Sequence, residues 1–501
     1  MKKREIKRIL IANRGEIALR IIRACKELEI TSVAVYSDVD RRSLHVIQAD
    51  EAYPLGGSAP RDSYLNQFRI IQIAKDYAVD AIHPGYGFLA ENPEFADAVR
   101  SAGILFIGPS GASIRSLGDK TSARKMAKQL GVPTIAGTVE PIHDMSEALD
   151  RAAEIGFPIL LKAAAGGGGK GMRVVRTEKE FKAAFGMAQS EAKGAFGDDR
   201  VYMEKYLDSP RHIEMQILAD EQGNVVYLGE RECSVQRRHQ KVIEETPSTA
   251  VNEQLRRQLG EAAVGLVKAA GYSNAGTMEF LLDSEGKFYF LEMNTRLQVE
   301  HPVTEEVTGI DLVKQQIRIA EGENLPFKQE EIRIRGHAIE CRICAEDPEE
   351  SFMPSTGILA RYRLPEGRIR VENGFREGDE ISVFYDSLMA KVISWGETRT
   401  AAVAAMKRAL GDFSIEGVKS TIPFCRFVLE TKDFLEGNID TRFVEKHFTP
   451  SVLKRDSSDQ ELAAAIAGVL IGMQRKEPRI TTNGVDRDSS RWKESRREVL
   501  R

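Results

Sequence analysis

The chain has 501 residues, with 71 Lys and Arg against 75 Asp and Glu and a net charge of −4, which excludes a surface built mainly to hold nucleic acid. Hydrophobic residues make up 42% and charged residues 29%, the balance of a soluble globular protein with roughly two to four domains. The basic start Met1-Lys2-Lys3-Arg4 is followed only by Ile9-Leu10-Ile11-Ala12, too short for a signal peptide, and the longest apolar stretch, residues 462–473, is too short to cross a bilayer. Five scattered cysteines fit a reducing cytoplasm, so a cytoplasmic protein without membrane contact is expected.

In chain order, residues 8–12 read as a strand, 16–28 as a helix and 32–36 as a strand, with Asn13-Arg14-Gly15 in the first turn. The alternation continues with a helix at 70–77, a strand at 81–83, a helix at 93–102 and a strand at 104–108. The opening of the chain therefore reads as a doubly wound α/β domain. No Gly-x-Gly-x-x-Gly follows its first strand, so no dinucleotide is required there. His83-Pro84-Gly85-Tyr86-Gly87-Phe88 follows a strand end, where open α/β sheets hold ligands; the alternative is a tight Pro-Gly turn.

Asp119-Lys120 opens a helix that runs through residue 130. A strand at 159–163 leads into Gly166-Gly167-Gly168-Gly169-Lys170-Gly171 and a second strand at 172–175. The glycine run matches the dinucleotide pattern in letters, but a strand follows it instead of a helix. It is no P-loop either, because no Ser or Thr follows the Gly-Lys pair. What remains is a glycine hairpin whose N–H groups can close on a polyphosphate, with Lys162 and Lys120 as further cations. Residues 201–207 read as a strand ending in a loop, where backbone and Glu204 can read an adenine edge. Strands at 212–218 and 225–230 precede Cys233-Ser234-Val235-Gln236-Arg237-Arg238-His239-Gln240-Lys241. That run suits small anions and phosphate, with a solvated basic face as the alternative.

A helix at 252–270 leads to Thr277-Met278-Glu279-Phe280-Leu281-Leu282, a short Gly-containing loop and Phe288-Tyr289-Phe290-Leu291-Glu292-Met293-Asn294, which read as a β-hairpin. With Leu282 opposite Lys287, Glu279 falls opposite Phe290 and diagonal to Glu292. Alternation then places Glu279, Glu292 and Asn294 on one face. Two carboxylates and an amide oxygen suit a hard divalent cation such as Mg²⁺. If the strand runs on, Arg296, Gln298 and Glu300 keep the same parity and can seat a small anion beside a basic carboxylate.

A helix at 309–320 and a linker at 323–335 lead into a third unit. It is strand-rich at 337–343, 358–363, 381–383 and 388–394, then helical at 400–410 and 419–429. Cys341-x-x-Cys344 lies in a strand and lacks the second pair a zinc site needs. Past about residue 450 the chain turns polar. A largely apolar helix at 460–474 either docks on a partner or packs on its own domain, and 475–501 is charged and poor in apolar residues.

Ile11-Ala12-Asn13-Arg14-Gly15-Glu16-Ile17-Ala18, His83-Pro84-Gly85-Tyr86-Gly87-Phe88, residues 166–172, Gln236-Arg237-Arg238-His239-Gln240-Lys241 and the stretch from Glu292 through Glu300-His301-Pro302 occur in this order. Together they resemble the biotin carboxylase family of ATP-grasp enzymes over residues 5–448. The resemblance implies a mixed α/β and α+β architecture. A Rossmann-like N-terminal domain (1–117) precedes an ATP-grasp domain (118–332) with a mobile lid at about 133–205, a biotin carboxylase C-terminal domain (333–448) and a tail (449–501).

It implies a nucleotide site of Lys120, Lys162, Gly168, Gly169, Glu204, Lys205, Leu207, His212, Gln236, His239 and Leu281. Glu279, Glu292 and Asn294 would hold Mg²⁺ or Mn²⁺, two ions in all. Lys241, Arg296, Gln298, Val299 and Glu300 would hold bicarbonate, and Arg342 and Tyr86 would lie at biotin. Lys170 stands where many members have Arg, and the strand-to-glycine junction is Ala163-Ala164-Ala165; both keep charge or size. The implied chemistry is phosphorylation of bicarbonate by ATP to carboxyphosphate, then carboxylation of biotin. Glu300 serves as base for the bicarbonate proton and Arg342 stabilises the ureido oxygen.

The nearest match to a biotinylated Ala-Met-Lys-Met hairpin is Ala405-Met406-Lys407-Arg408, in helical spacing, so Lys407 reads as a surface helix lysine. Biotin is therefore expected on a separate carrier protein. The family implies two further partners, a carboxyltransferase and a second copy of the chain in a homodimer. Two competing readings are another ATP-grasp ligase and a non-catalytic nucleotide-binding scaffold. The first is opposed by the residues from Arg296 to Glu300, the second by the full set of metal, phosphate and base positions.

Overall fold

The computed structural model describes residues 4–138, 140–163, 172–196, 198–238 and 240–453, together with 466, 467 and 469. The glycine run with Gly168 and Gly169, His239 and all but three residues of the expected helix at 460–474 lie outside the described residues.

The N-terminal part holds a parallel sheet of β1 (Arg8–Ile11), β2 (Thr31–Tyr36), β3 (Glu51–Pro54), β4 (Ala81–His83) and β5 (Leu105–Phe106), in the order β3-β2-β1-β4-β5. The near-continuous apolar runs of β1, β2 and β4 are what a sheet covered on both faces requires. Helices Gly15–Glu27, Gln67–Asp76 and Pro93–Ser101 connect its strands. Asn66 and Asn92 cap the last two, each accepting a backbone N–H through its side chain. The short β3, ending in Pro54, is the edge strand absent from the sequence reading; it is too polar to stand out by pattern.

This winding brings Asn13, just past β1, against the turn that follows β4. Asn13 Nδ2 donates to the carbonyls of Pro84 and Tyr86, both at 2.7 Å. Gly85 has φ +64°, and a Cβ there would sit 2.9 Å from Asn13 Nδ2, so only glycine fits this turn without displacing its brace.

A smaller antiparallel sheet is formed by β6 (Ile159–Ala163), β7 (Met172–Val175) and β8 (Val201–Lys205) in the order β7-β6-β8. Helices Met145–Ile155 and Glu178–Phe196 accompany it, over a core of its own that includes Phe181, Phe185, Val201 and Met203.

The largest sheet has eight strands, antiparallel at each pairing. It comprises β9 (Arg211–Ala219), β10 (Val225–Arg237), β11 (Gln240–Thr246), β12 (Asn274–Leu282), β13 (Phe288–Asn294), β14 (His337–Cys344) and strands Leu388–Gly396 and Ile369–Asn373. Their order is β13-β12-β9-β10-β11-β14, then Leu388–Gly396, then Ile369–Asn373. Hydrogen bonding thus runs unbroken across the linker at 323–335. The residues expected to form one strand at 358–363 instead form two short pieces, Gly357–Ile358 and Arg361–Arg363, paired with different partners. Cys341 and Cys344 both lie in β14, and all five cysteines are free.

Candidate active site

The β12–β13 hairpin joins Glu279 and Glu292, but by a different register from the one read in the sequence. Leu282 pairs with Phe288, not Lys287, and Phe280 with Phe290. A bulge after that pair then sets Glu279 directly opposite Glu292 and Thr277 opposite Asn294. A bulge inserts one residue and re-aims the side chains beyond it, which simple alternation cannot anticipate. The strand also stops at Asn294, so parity does not carry Arg296, Gln298 and Glu300 onward. An irregular turn gathers them, and it ends where helix His301–Thr308 begins with Glu300 in the cap position.

Arg296 is fixed on several sides. Its Nε donates to Glu91 at 2.8 Å, one terminal nitrogen to Gln298 Oε1 at 3.0 Å and the other to Asn294 Oδ1 at 3.2 Å. Val299 offers its carbonyl to Lys391 at 2.7 Å, which pins the same turn from below. With a further bond to the Leu297 carbonyl at 3.1 Å, the planar guanidinium is fixed in one orientation on the cleft wall, a geometry that lysine cannot reproduce.

Lys241 is the hub beneath this turn. Its ammonium donates to Glu214 at 2.6 Å, Glu279 at 3.0 Å and Glu300 at 2.6 Å. Burial would lower its pKa, but those three carboxylates hold it well above the usual lysine range. Glu300 is fully buried, and burial would raise its pKa. Lys241, Arg342 and Arg231 instead keep it well below the ordinary carboxylate range. Arg342 bridges Glu300 at 2.8 Å and Glu244 at 2.6 Å. Glu300 is thus ionised at neutral pH, able to accept a proton and held at the junction of the anion seat and Arg342.

Towards the other end of the cleft, Lys120 pairs with Glu292 at 2.7 Å. The Glu204 carboxylate is gripped by Lys162 and Arg124. His212 lies 3.0 Å from Glu279, and the contact raises the pKa of the imidazole although burial opposes it. Lys205 is turned onto the carbonyls of Gly156 and Phe157, 3.1 Å and 2.6 Å away, which leaves its strand along the cleft wall.

These groups line one cleft of about 2010 Å³. Lys120, Lys162, Glu204, Lys205, Leu207, His212, Gln236 and Leu281 form one stretch of its wall; Lys241, Glu279, Glu292, Asn294, Arg296, Gln298, Val299, Arg342 and Tyr86 form another. Glu300 lies just beneath. The space and the cations suit a nucleoside triphosphate. For a divalent cation the chemistry of the two acids fits: the register sets Glu279 opposite Glu292, and a positive charge already meets each carboxylate through Lys241 or Lys120, while Asn294 turns its amide nitrogen to Glu279 and its oxygen to Arg296.

Six charged groups of this network were not singled out in the sequence: Glu91, Arg124, Glu214, Arg231, Glu244 and Lys391. For Glu214 a signal exists. In β9 the polar His212, Glu214 and Gln216 alternate with Ile213, Met215 and Ile217 on a strand that is buried almost throughout, the pattern of a sheet face lined with partners. Arg231 fills that face, donating to Glu214, to Gln216 at 2.7 Å and to Thr304 at 2.9 Å.

A cleft of opposed acids and lysines, partly lined by the small β7-β6-β8 sheet, fits an ATP-dependent ligase of the ATP-grasp kind. Family models match in three consecutive blocks: biotin carboxylase, N-terminal domain over residues 5–114, carbamoyl-phosphate synthase L chain, ATP binding domain over 119–328, and biotin carboxylase C-terminal domain over 340–446. The chain is 52% identical to biotin carboxylase 1 of Bacillus subtilis, over 88% of this chain and 99% of that protein. It is 50% identical to the 2-oxoglutarate carboxylase small subunit of Hydrogenobacter thermophilus, over 88% of this chain and 93% of that one. Among solved structures, the biotin carboxylase domain dimer of the 2-oxoglutarate carboxylase from the same organism, in complex with MgADP, ADP and bicarbonate, superposes with a TM-score of 0.84 at 49% identity, covering 90% of this chain and 99% of that one. The chain belongs to the biotin carboxylase family, as its ordered motifs implied.

Proposed function

We propose that the chain uses ATP and bicarbonate to carboxylate biotin carried on a separate protein, as one component of a biotin-dependent carboxylase. The observation that carries this reading is the buried junction at Glu300, which touches Lys241 on the side of the opposed acids and Arg342 on the far side. One carboxylate thereby links a seat for an oxyanion to a second cation that faces the same cleft.

In this reading, Arg296 and Gln298 hold bicarbonate and Glu300 accepts its proton as a bicarbonate oxygen takes the γ-phosphoryl group of ATP, releasing ADP. Glu279, Glu292 and Asn294 would hold a divalent cation, Mg²⁺ or Mn²⁺, whose charge would offset that of the phosphates. Lys120 and Lys162 add positive charge along the cleft wall. Carboxyphosphate breaks its C–O bond to give CO₂ and phosphate, and the phosphate takes the N1 proton of biotin. Arg342 stabilises the negative charge that gathers on the ureido oxygen, and N1 attacks CO₂. Tyr86 lines the biotin end.

Lys407 supports a separate carrier. It lies in helix Arg399–Asp412, where Met406 is buried and Lys407 pairs with Glu430 at 3.3 Å. A biotinylated lysine has to stand at the tip of an exposed hairpin. The acceptor of the carboxyl group is set by a carboxyltransferase partner. Acetyl-CoA, propionyl-CoA, pyruvate and another 2-oxo acid all fit, since the similar proteins serve different carboxylases. A homodimer and a cytoplasmic setting complete the proposal; no helix among the described residues is long and apolar enough to cross a membrane.

ATP hydrolysis measured with and without bicarbonate and free biotin tests the reading. Turnover should require bicarbonate and rise with biotin; turnover indifferent to both would reject it in favour of another ligase or a scaffold. Arg342→Gln separates the two half-reactions. It should cut biotin carboxylation on the order of 100-fold while sparing bicarbonate-dependent ATP cleavage. Equal losses in the two assays would remove Arg342 from the biotin end.

A further inference from the structure

Behind Arg342 lies a pair of acids that the reaction sketched above does not use. The β11–β14 register sets Glu244 directly opposite Glu340, so the two side chains share one face at neighbouring positions. Both are fully buried. Glu244 gives one oxygen to Arg342; its other oxygen and both oxygens of Glu340 have no hydrogen-bond partner among the described residues.

The surroundings are short of positive charge. On its own strand Glu340 has Arg342 two residues away; on strand Leu388–Gly396 it faces Ile393, with Lys391 opposite Arg342. Lys391 is committed to Val299 at 2.7 Å and Glu16 at 3.2 Å. Helix His301–Thr308, packed on this face through Val303 and Val307, brings His301, which burial keeps neutral, and Glu305, which Arg20 and Arg370 hold. Glu300 adds a further negative charge, and Lys241 of β11 is taken up by its three acids. Two carboxylates this close in a dry interior cannot both ionise beside one guanidinium. Burial accordingly pushes Glu244 up to about 7 and Glu340 well above the usual carboxylate range, against the pull of nearby cations.

We propose that Glu340 is a positioning residue for Arg342: it stays protonated, donates its O–H to the free oxygen of Glu244, and so leaves a single negative charge behind the guanidinium. With one charge on that side and Glu300 on the other, Arg342 stays spanned between them and available to biotin. Loss of the shared proton at alkaline pH puts a second negative charge behind Arg342 and draws it away from the cleft. This inference rests on the reading of Arg342 as the biotin-facing cation.

The test compares Glu340→Gln, which keeps a donor of the same shape and cannot ionise, with Glu340→Leu, which keeps only bulk. Purified full-length variants are assayed for bicarbonate-dependent ATP cleavage without biotin, and for kcat/KM towards free biotin from mildly acid to alkaline pH. Leu should lose on the order of 100-fold in kcat/KM for biotin while sparing ATP cleavage, the size of loss a misplaced catalytic group produces. Gln should restore most of that loss, and its profile should stay flat where the unaltered enzyme declines on the alkaline side. Leu and Gln equally impaired, Leu indistinguishable from the unaltered enzyme, or alkaline limbs that superimpose would each overturn the proposal. Failure of the functional reading would look different: the unaltered chain itself would show no turnover dependent on bicarbonate and biotin.

Discussion

Replacing Arg296 with alanine should lower biotin carboxylation by about 10²–10³-fold, the scale on which loss of a preorganised charge donor acts, while leaving ATP binding nearly intact. The guanidinium is held by Glu91, Gln298 and Asn294, so its plane is set before any anion arrives. The nucleotide-side groups, Lys120 with Glu292 and Lys162 with Glu204, make their contacts independently of it. Arg296→Lys should recover little, because a point charge cannot offer two parallel donors. Steady-state carboxylation paired with calorimetric ATP binding checks both halves. An Arg296→Ala variant that also carries Glu91→Gln controls for the acid left alone: if the second change restored carboxylation, the stranded acid and not the anion seat would be the cause. Near-normal carboxylation in Arg296→Ala would end the assignment.

Arg231→Met should be the most damaging single change to stability, costing about 3–5 kcal/mol, as breaking a buried pair does when one charge is left behind. Arg231 is fully buried and donates to Glu214, Gln216, Thr304 and Thr277. Methionine fills the space but leaves Glu214 to Lys241 alone and strands the Gln216 oxygen. Because Lys241 also serves Glu279 and Glu300, the loss should reach catalysis too, lowering carboxylation in whatever fraction stays folded. Urea unfolding followed by intrinsic fluorescence reads the stability term. A midpoint unchanged from the parent would show that the ion pair contributes nothing net.

Much of this site could be read before any coordinates, for reasons that can be named. The βαβ opening and the helices carry strong periodicity and clear caps: Asp119 and Asn252 sit where a polar residue precedes each helix, and each accepts a backbone N–H. The acids of the hairpin stood out because charge on a half-buried strand is costly without a partner. Their register was misread because a bulge obeys turn geometry and local packing, not the alternation of residue types. Helix His301–Thr308 was not read because it is short and opens with His-Pro. Glu91 and Glu244 escaped because their partners lie far off in sequence; Arg296 and Glu91, for example, are 205 residues apart. One sequence offers no pattern for such pairs, and only the topology brings them together.

The unbroken eight-stranded sheet limits how the chain can be divided. A fragment ending at residue 332 would keep both acids of the hairpin and Arg296, yet it would strip β14 from β11 and leave the backbone of Gln240–Thr246 as an open edge. Such an edge recruits other chains, so the fragment should self-associate instead of standing alone as a nucleotide-binding module. Glu300 would lose Arg342 and the Val299 carbonyl would lose Lys391 in the same cut. The central and C-terminal sequence blocks are therefore joined in one sheet, and any fusion or circular permutation of the chain has to leave that seam uncut.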